Sequence, residues 1–123
     1  MAEHNHIESL NEAISRLRHF TAERNWGQFH DPKNLAMALS SEAGELLAEL
    51  RWVSSTDADE FVKRPAERAR IIDEVADIAI ALLLLCDRLD LDLLSAISDK
   101  IKKNSANYPV ETARGNAYRL PRE

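Results

Sequence analysis

The chain is poor in the residues that interrupt helices and in the one that cross-links them. Its 123 residues include three glycines, four prolines and a single cysteine. So little turn chemistry argues against a meander of short strands and for a few long helices. One cysteine cannot close an internal bridge. Cys86 lies within an apolar run and reads as a small core residue, so nothing calls for an oxidising compartment. Apolar runs of about 18 residues, the length that marks a membrane span, are also missing. The opening stretch MAEHNHIESL has no basic start followed by an apolar segment, so no secretory signal is expected. Nor is there a basic excess. Sixteen Lys and Arg stand against 21 Asp and Glu, for a net charge of −5, which disfavours a nucleic-acid polymer as partner. A soluble cytoplasmic protein with no membrane partner is the expectation.

What is present is helical periodicity. Ile7, Leu10, Ile14 and Leu17 recur at helical spacing, predicting a first helix from Ile7 to about Asn25 that stops at Gly27. Asp31-Pro32 is a cap followed by proline at the first helical position. It opens a second helix that carries Leu35, Leu39, Leu46 and Leu50 to about Val53. The polar stretch SSTDADEFVKR reads as a loop with at most a short helical turn. Pro65 starts a third helix running to about Leu89; after a hinge at LDLD, Asp92 caps a fourth that ends near Asn104 or Ser105. No strand and no repeat is evident. The expectation is an all-α, four-helix bundle-like single domain over residues 1–123, with peripheral arms at 1–6 and about 110–123.

The third helix contains EVADIAIALLLLC, in which nine consecutive apolar residues follow Asp77. Such a helix wants burial on nearly every side. A small bundle covers it poorly, so a homodimer or homotetramer is expected to bury the extra face.

Two carboxylate pairs carry the chemistry. The second helix holds SEAGE, with Glu42 and Glu45 three apart; the third holds EVAD, with Glu74 and Asp77 at the same spacing. Residues at i and i+3 share a helix face. On the residues alone two readings stand. A single E-x-x-E is most often a solvated face, whereas two pairs on adjacent helices converge and repel unless divalent cations neutralise them. Ligands that are all oxygen favour Mg²⁺ or Mn²⁺ over zinc. A di-iron bundle uses Glu-x-x-His, and no histidine follows either pair at that offset. Gly44, inside the first pair, costs about 1 kcal/mol against alanine in a helix and is expected to admit a close approach.

E-x-x-E followed by E-x-x-D, with 28 residues between, resembles the MazG-like all-α nucleoside triphosphate pyrophosphohydrolases. AERNWGQFHDPKNLAMALSSEAGELLAELRW and KIKKNSANYP are similar to segments of the dCTP pyrophosphatase group within that family, and the likeness spans roughly Leu17 to Pro109. It implies Mg²⁺-dependent cleavage of a nucleoside triphosphate between the α and β phosphates, in a helical oligomer whose site lies between helices and subunits. By motif position Glu42, Glu45, Glu74 and Asp77 are metal ligands. Trp26 and Trp52 enclose the base, and Lys100 and Asn104 meet the substrate. Glu45 is then the carboxylate to orient or deprotonate the attacking water, and Lys100 steadies charge on the phosphates. Ala81 stands where animal members carry an aromatic residue, and Leu17 where they carry histidine, which leaves the preferred base open. Ser41 omits a third adjacent carboxylate found in dUTP-preferring relatives and leans towards dCTP or a modified dCTP. The implied role is nucleotide-pool housekeeping. The reading of another class is a non-catalytic helical oligomer that binds nucleotides or a protein partner.

Other features carry less. HNH at residues 4–6 lacks the ββα unit that a nuclease of that name requires. His30, beside the cap Asp31, borders on the motif region. RPAERAR reads as a solvated basic face more readily than as a phosphate clamp, with Lys63 just before it and Arg70 at its end as the candidate phosphate contacts on the second reading. Both tryptophans also have a plain reading as core or interface residues.

Overall fold

The computed structural model describes residues 6–117. Within them lie α1 (Leu10–Glu23), α2 (Pro32–Leu50), α3 (Ala58–Phe61), α4 (Pro65–Arg88), α5 (Leu93–Asn107) and α6 (Val110–Ala113). Four long helices and two single turns make an all-α architecture, with no strand among the described residues. Those described residues form two compact units that divide between Asp90 and Leu91, at the expected hinge. His4 and Asn5 of the HNH triplet, with residues 1–5 of the first expected arm and 118–123 of the second, lie outside the described residues.

Helix starts follow local chemistry. Ser9 caps α1 by accepting a hydrogen bond from the Glu12 amide at 3.1 Å, which places the first turn at Leu10 rather than Ile7. Asp31 accepts from the Asn34 amide at 2.8 Å, with Pro32 at the first position of α2. Asp92 accepts from the Ser95 amide at 3.1 Å and opens α5. Each cap satisfies an amide that the helix itself leaves unpaired.

Helix ends differ from expectation. α1 stops at Glu23, and the residue that turns the chain is Asn25, not Gly27. Asn25 adopts the left-handed conformation with φ 52°, which its short polar side chain tolerates. The Trp26 amide then bonds back to the Thr21 carbonyl at 3.0 Å, and the Asn25 amide to Ala22 at 3.1 Å. These are the two bonds of a Schellman motif. Gly27 instead begins a 3-10 turn, Gly27–Phe29. Asp90 likewise takes φ 51° just past α4. α2 ends at Leu50, short of Val53, and α5 runs on to Asn107.

In the first unit α4 is the central rod, with α2 and α1 packed on it. An Arg18–Asp87 ion pair ties α1 to α4; Arg18 Nε lies 3.0 Å from each Asp87 carboxylate oxygen, and a terminal nitrogen makes a further close contact. The apolar run of α4 is only partly covered. Ala81, Leu83 and Cys86 are buried together with Leu35 of α2, whereas Ile80 is 40% and Val75 51% exposed. Burial on nearly every side is therefore not reached within one chain. Cys86 is a core residue as expected, and burial pushes its thiol pKa up.

Candidate functional site

α2 and α4 run antiparallel, and their facing residues keep one register. Glu42 feels Asp77, Glu45 lies beside Glu74, and Glu49 accepts a bond from Arg70 Nε at 3.1 Å. Each step of three or four forward along α2 is matched by an equal step back along α4, so all six side chains share one seam. Residues on one face of a helix recur every three or four positions, which is why the two motifs meet once their helices align.

Glu42, Glu45 and Glu74 each offer one carboxylate oxygen, and these oxygens lie within 4.8 Å of one another. Asp77 is outside that triple, but it borders the same cavity as Glu42, and its charge acts on both Glu42 and Glu74. Burial, then the adjacent Glu45 carboxylate, then Coulombic repulsion hold Glu42 and Glu74 above the ordinary carboxylate pKa. One oxygen of each, Glu42 Oε2 and Glu74 Oε2, is closed off from solvent and has no hydrogen-bond partner. Buried carboxylate oxygens do not stay unpartnered without cost. A hard divalent cation suits this donor set of oxygens alone, supplying the counter-charge and the missing partner together.

Beyond the acids, towards the start of α2, the seam turns apolar and opens into a cavity of about 340 Å³. Glu42 and Asp77 form its acidic edge, Ala38 and Ala81 offer small side chains, and Trp26, Phe29 and His30 supply the aromatic wall. Trp26 is placed there by the Schellman turn and packs edge-on against Phe20, with centroids 5.7 Å apart. Asn34 Nδ2 bonds to the Phe29 carbonyl at 3.0 Å and pins the 3-10 turn to α2. A more apolar hollow of about 490 Å³, lined in part by Leu17 and Phe20, adjoins it through Trp26, His30 and Ile80.

The expected site residues thus separate into groups. Glu42, Glu45 and Glu74 converge, Asp77 stands beside them, and Trp26 walls the adjoining cavity. Trp52 does not join them. It lies past the C-terminus of α2, 87% exposed, with the Arg51 guanidinium 5.2 Å from its ring. The 19 residues of α2 span about 28 Å, so the two tryptophans of one chain do not bound the same cavity. Lys100 and Asn104 sit one turn apart on α5, both exposed, in the second unit. The close approach expected at Gly44 is not made inside the chain, since a Cβ there would meet nothing within 4 Å. Phe29 and Asn34 join the site without a motif of their own to mark them; the aromatic-rich NWGQFH linker is a signal for Phe29, and nothing in the sequence marks Asn34.

Residues 37–120 match the model of the MazG-like family. The chain is 42% identical over 115 residues to dCTP pyrophosphatase 1 of Mus musculus, covering 90% of this chain and 68% of that protein. It is 38% identical over 107 residues to dCTP pyrophosphatase 1 of Homo sapiens, covering 86% of this chain and 63% of the human protein. Among solved structures, a pyrophosphatase from Archaeoglobus fulgidus superposes with a TM-score of 0.78 at 36% identity, over 86% of this chain and 97% of that one. The chain belongs to the MazG-like family. Within it, the chain is a nucleoside triphosphate pyrophosphohydrolase. No described helix is long and apolar enough to cross a membrane.

Proposed function

We propose that this enzyme hydrolyses dCTP, or a dCTP modified on the base, to the monophosphate and pyrophosphate with Mg²⁺ (or Mn²⁺) as cofactor, and so clears the cytoplasmic nucleotide pool. The observation that carries this reading is the pair of sealed, unpartnered oxygens on Glu42 and Glu74, next to an aromatic-walled cavity that Glu42 and Asp77 border. The names of the mouse and human relatives supply the base.

Glu42, Glu45 and Glu74, with Asp77 beside them, would hold the metal, whose chemistry when bound is to neutralise the phosphates and acidify coordinated water. Glu45 is exposed where its two neighbours are half-buried. It is therefore the carboxylate least fully used as a ligand, and the one to orient a water and take its proton. The water oxygen bonds to the α-phosphorus as the bond from that phosphorus to the α–β bridging oxygen breaks. The bridging oxygen leaves with pyrophosphate. Trp26 stacks on the base, an interaction worth about 1–3 kcal/mol in single-strand binding proteins. Lys100 and Asn104 are proposed substrate contacts, Lys100 as a point charge for the phosphates.

Trp52 reaches a base only if a second copy of the chain brings it. The exposed faces of Val75 and Ile80 on α4 favour the same arrangement, a homodimer or homotetramer with shared sites. The test is pyrophosphate release from all common dNTPs and NTPs with and without Mg²⁺. Fastest turnover with dCTP or 5-methyl-dCTP supports the reading. Turnover of every nucleotide except cytosine ones overturns the base, and no metal dependence overturns the cofactor.

A further inference from the structure

The α2–α4 seam has a direction. Its apolar end is the cavity at Ala38 and Ala81, its middle is the acidic cluster, and its far end is the Glu49–Arg70 pair. A nucleotide with its base in the cavity and its α-phosphate at the acids must send its β- and γ-phosphates towards that far end. Arg70 sits four residues before Glu74 on the same face of α4, about 6 Å along the axis. Its sequence neighbourhood suggests a solvated face; the structure places it on the seam.

Its guanidinium is also available. Glu49 takes only Nε, and neither terminal nitrogen has a partner among the described residues. Half-exposed pairs of this kind contribute little to stability and exchange readily. The free edge of a guanidinium matches the oxygens of a phosphate and binds them bidentately.

Resting on the function proposed above, we propose that Arg70 is the binding residue for the terminal phosphates, and that Glu49 holds it in position until substrate or pyrophosphate arrives. With a triphosphate bound, Arg70 donates to β- and γ-phosphate oxygens and steadies the charge that the departing pyrophosphate acquires. Glu49 is a positioning residue that competes for the same guanidinium.

The test compares wild type, Arg70→Ala, Arg70→Lys and Glu49→Gln on dCTP with Mg²⁺, with inorganic pyrophosphate and dCMP as inhibitors. Arg70→Ala should raise KM for dCTP and weaken inhibition by pyrophosphate, each on the order of tenfold, while inhibition by dCMP stays unchanged. Glu49→Gln should tighten pyrophosphate, and Arg70→Lys should recover part of the loss. Unchanged pyrophosphate inhibition in Arg70→Ala overturns the proposal, as does an equal loss towards pyrophosphate and dCMP. Should Arg70→Ala not fold, Glu49→Gln decides alone, and a loss of pyrophosphate affinity there marks the pair as structural. A wild type that hydrolyses no triphosphate sinks the underlying function instead, a different result from an active wild type indifferent to Arg70.

Discussion

Glu45 and Glu74 face each other across the α2–α4 seam, close enough that Glu74 is held above the ordinary carboxylate pKa by burial first and by Glu45 second. That proximity is repulsive in an apoprotein and useful only with a cation between the two. The proposed catalysis and the predicted pH-dependence of stability both turn on it.

Glu45→Gln keeps the shape of the side chain and removes its basicity. If Glu45 accepts the proton of the attacking water, kcat should fall by roughly 10²–10⁴-fold, with the helical circular dichroism and the KM little altered. Steady-state pyrophosphate release checks this. A variant with full kcat assigns the proton to another group.

Glu42 and Glu74 have folded pKa values above their unfolded ones. Their folded forms therefore hold protons that the unfolded chain releases. The stabilisation they give metal-free protein is complete below the ordinary carboxylate range and is lost as pH rises through the raised values. At neutral pH Glu74→Gln should accordingly raise the Tm of metal-free protein, and should reduce the further rise that Mg²⁺ produces in wild type. Thermal melts with EDTA and with Mg²⁺ give both numbers. A lower Tm for the metal-free variant contradicts the sign.

Asp87 behaves oppositely. The Arg18 guanidinium holds its carboxyl below the usual range, so its contribution is present above the unfolded pKa and disappears as pH falls through the folded one. Because Arg18 is largely exposed, Asp87→Asn should cost only about 0.2–1 kcal/mol at pH 7. Denaturant titrations should find that cost shrinking on acidification and with added salt. A cost that persists at pH 2 would point to packing rather than charge.

Asn25 positions Trp26 through its left-handed backbone. Asn25→Ala should lose about 1 kcal/mol and raise KM for the nucleotide, whereas Asn25→Gly should be tolerated. Tryptophan fluorescence, read alongside KM, reports whether the ring has moved. Equal behaviour of the two variants would mean that the turn does not hold Trp26 in place.

What sequence discloses here is local or periodic. Asp31 and Asp92 announce helix starts because a cap acts on an amide three residues away, and Pro32 and Pro65 do so because proline suits the first helical position. The acidic pairs are legible because i, i+3 spacing fixes a shared face. The register of α2 on α4 is not legible, since it is set by packing between residues far apart in the chain. That register alone brings Ala38 and Ala81 to one cavity and Arg70 to Glu49. The stop expected at Gly27 falls at Asn25 because asparagine, though less common than glycine in the left-handed region, also serves there. Trp52 is joined to Trp26 only by family likeness, and the length of α2 separates them.

The central claim is that the seam carboxylates bind a divalent cation, and Mn²⁺ titration followed by electron paramagnetic resonance tests it most directly. Wild type should sequester Mn²⁺ in competition with Mg²⁺, and Glu42→Gln and Glu74→Gln should each weaken that binding by about tenfold or more on the scale of charged-partner loss. Wild type that leaves Mn²⁺ free in solution, or folded variants that bind it as well as wild type, would contradict the account.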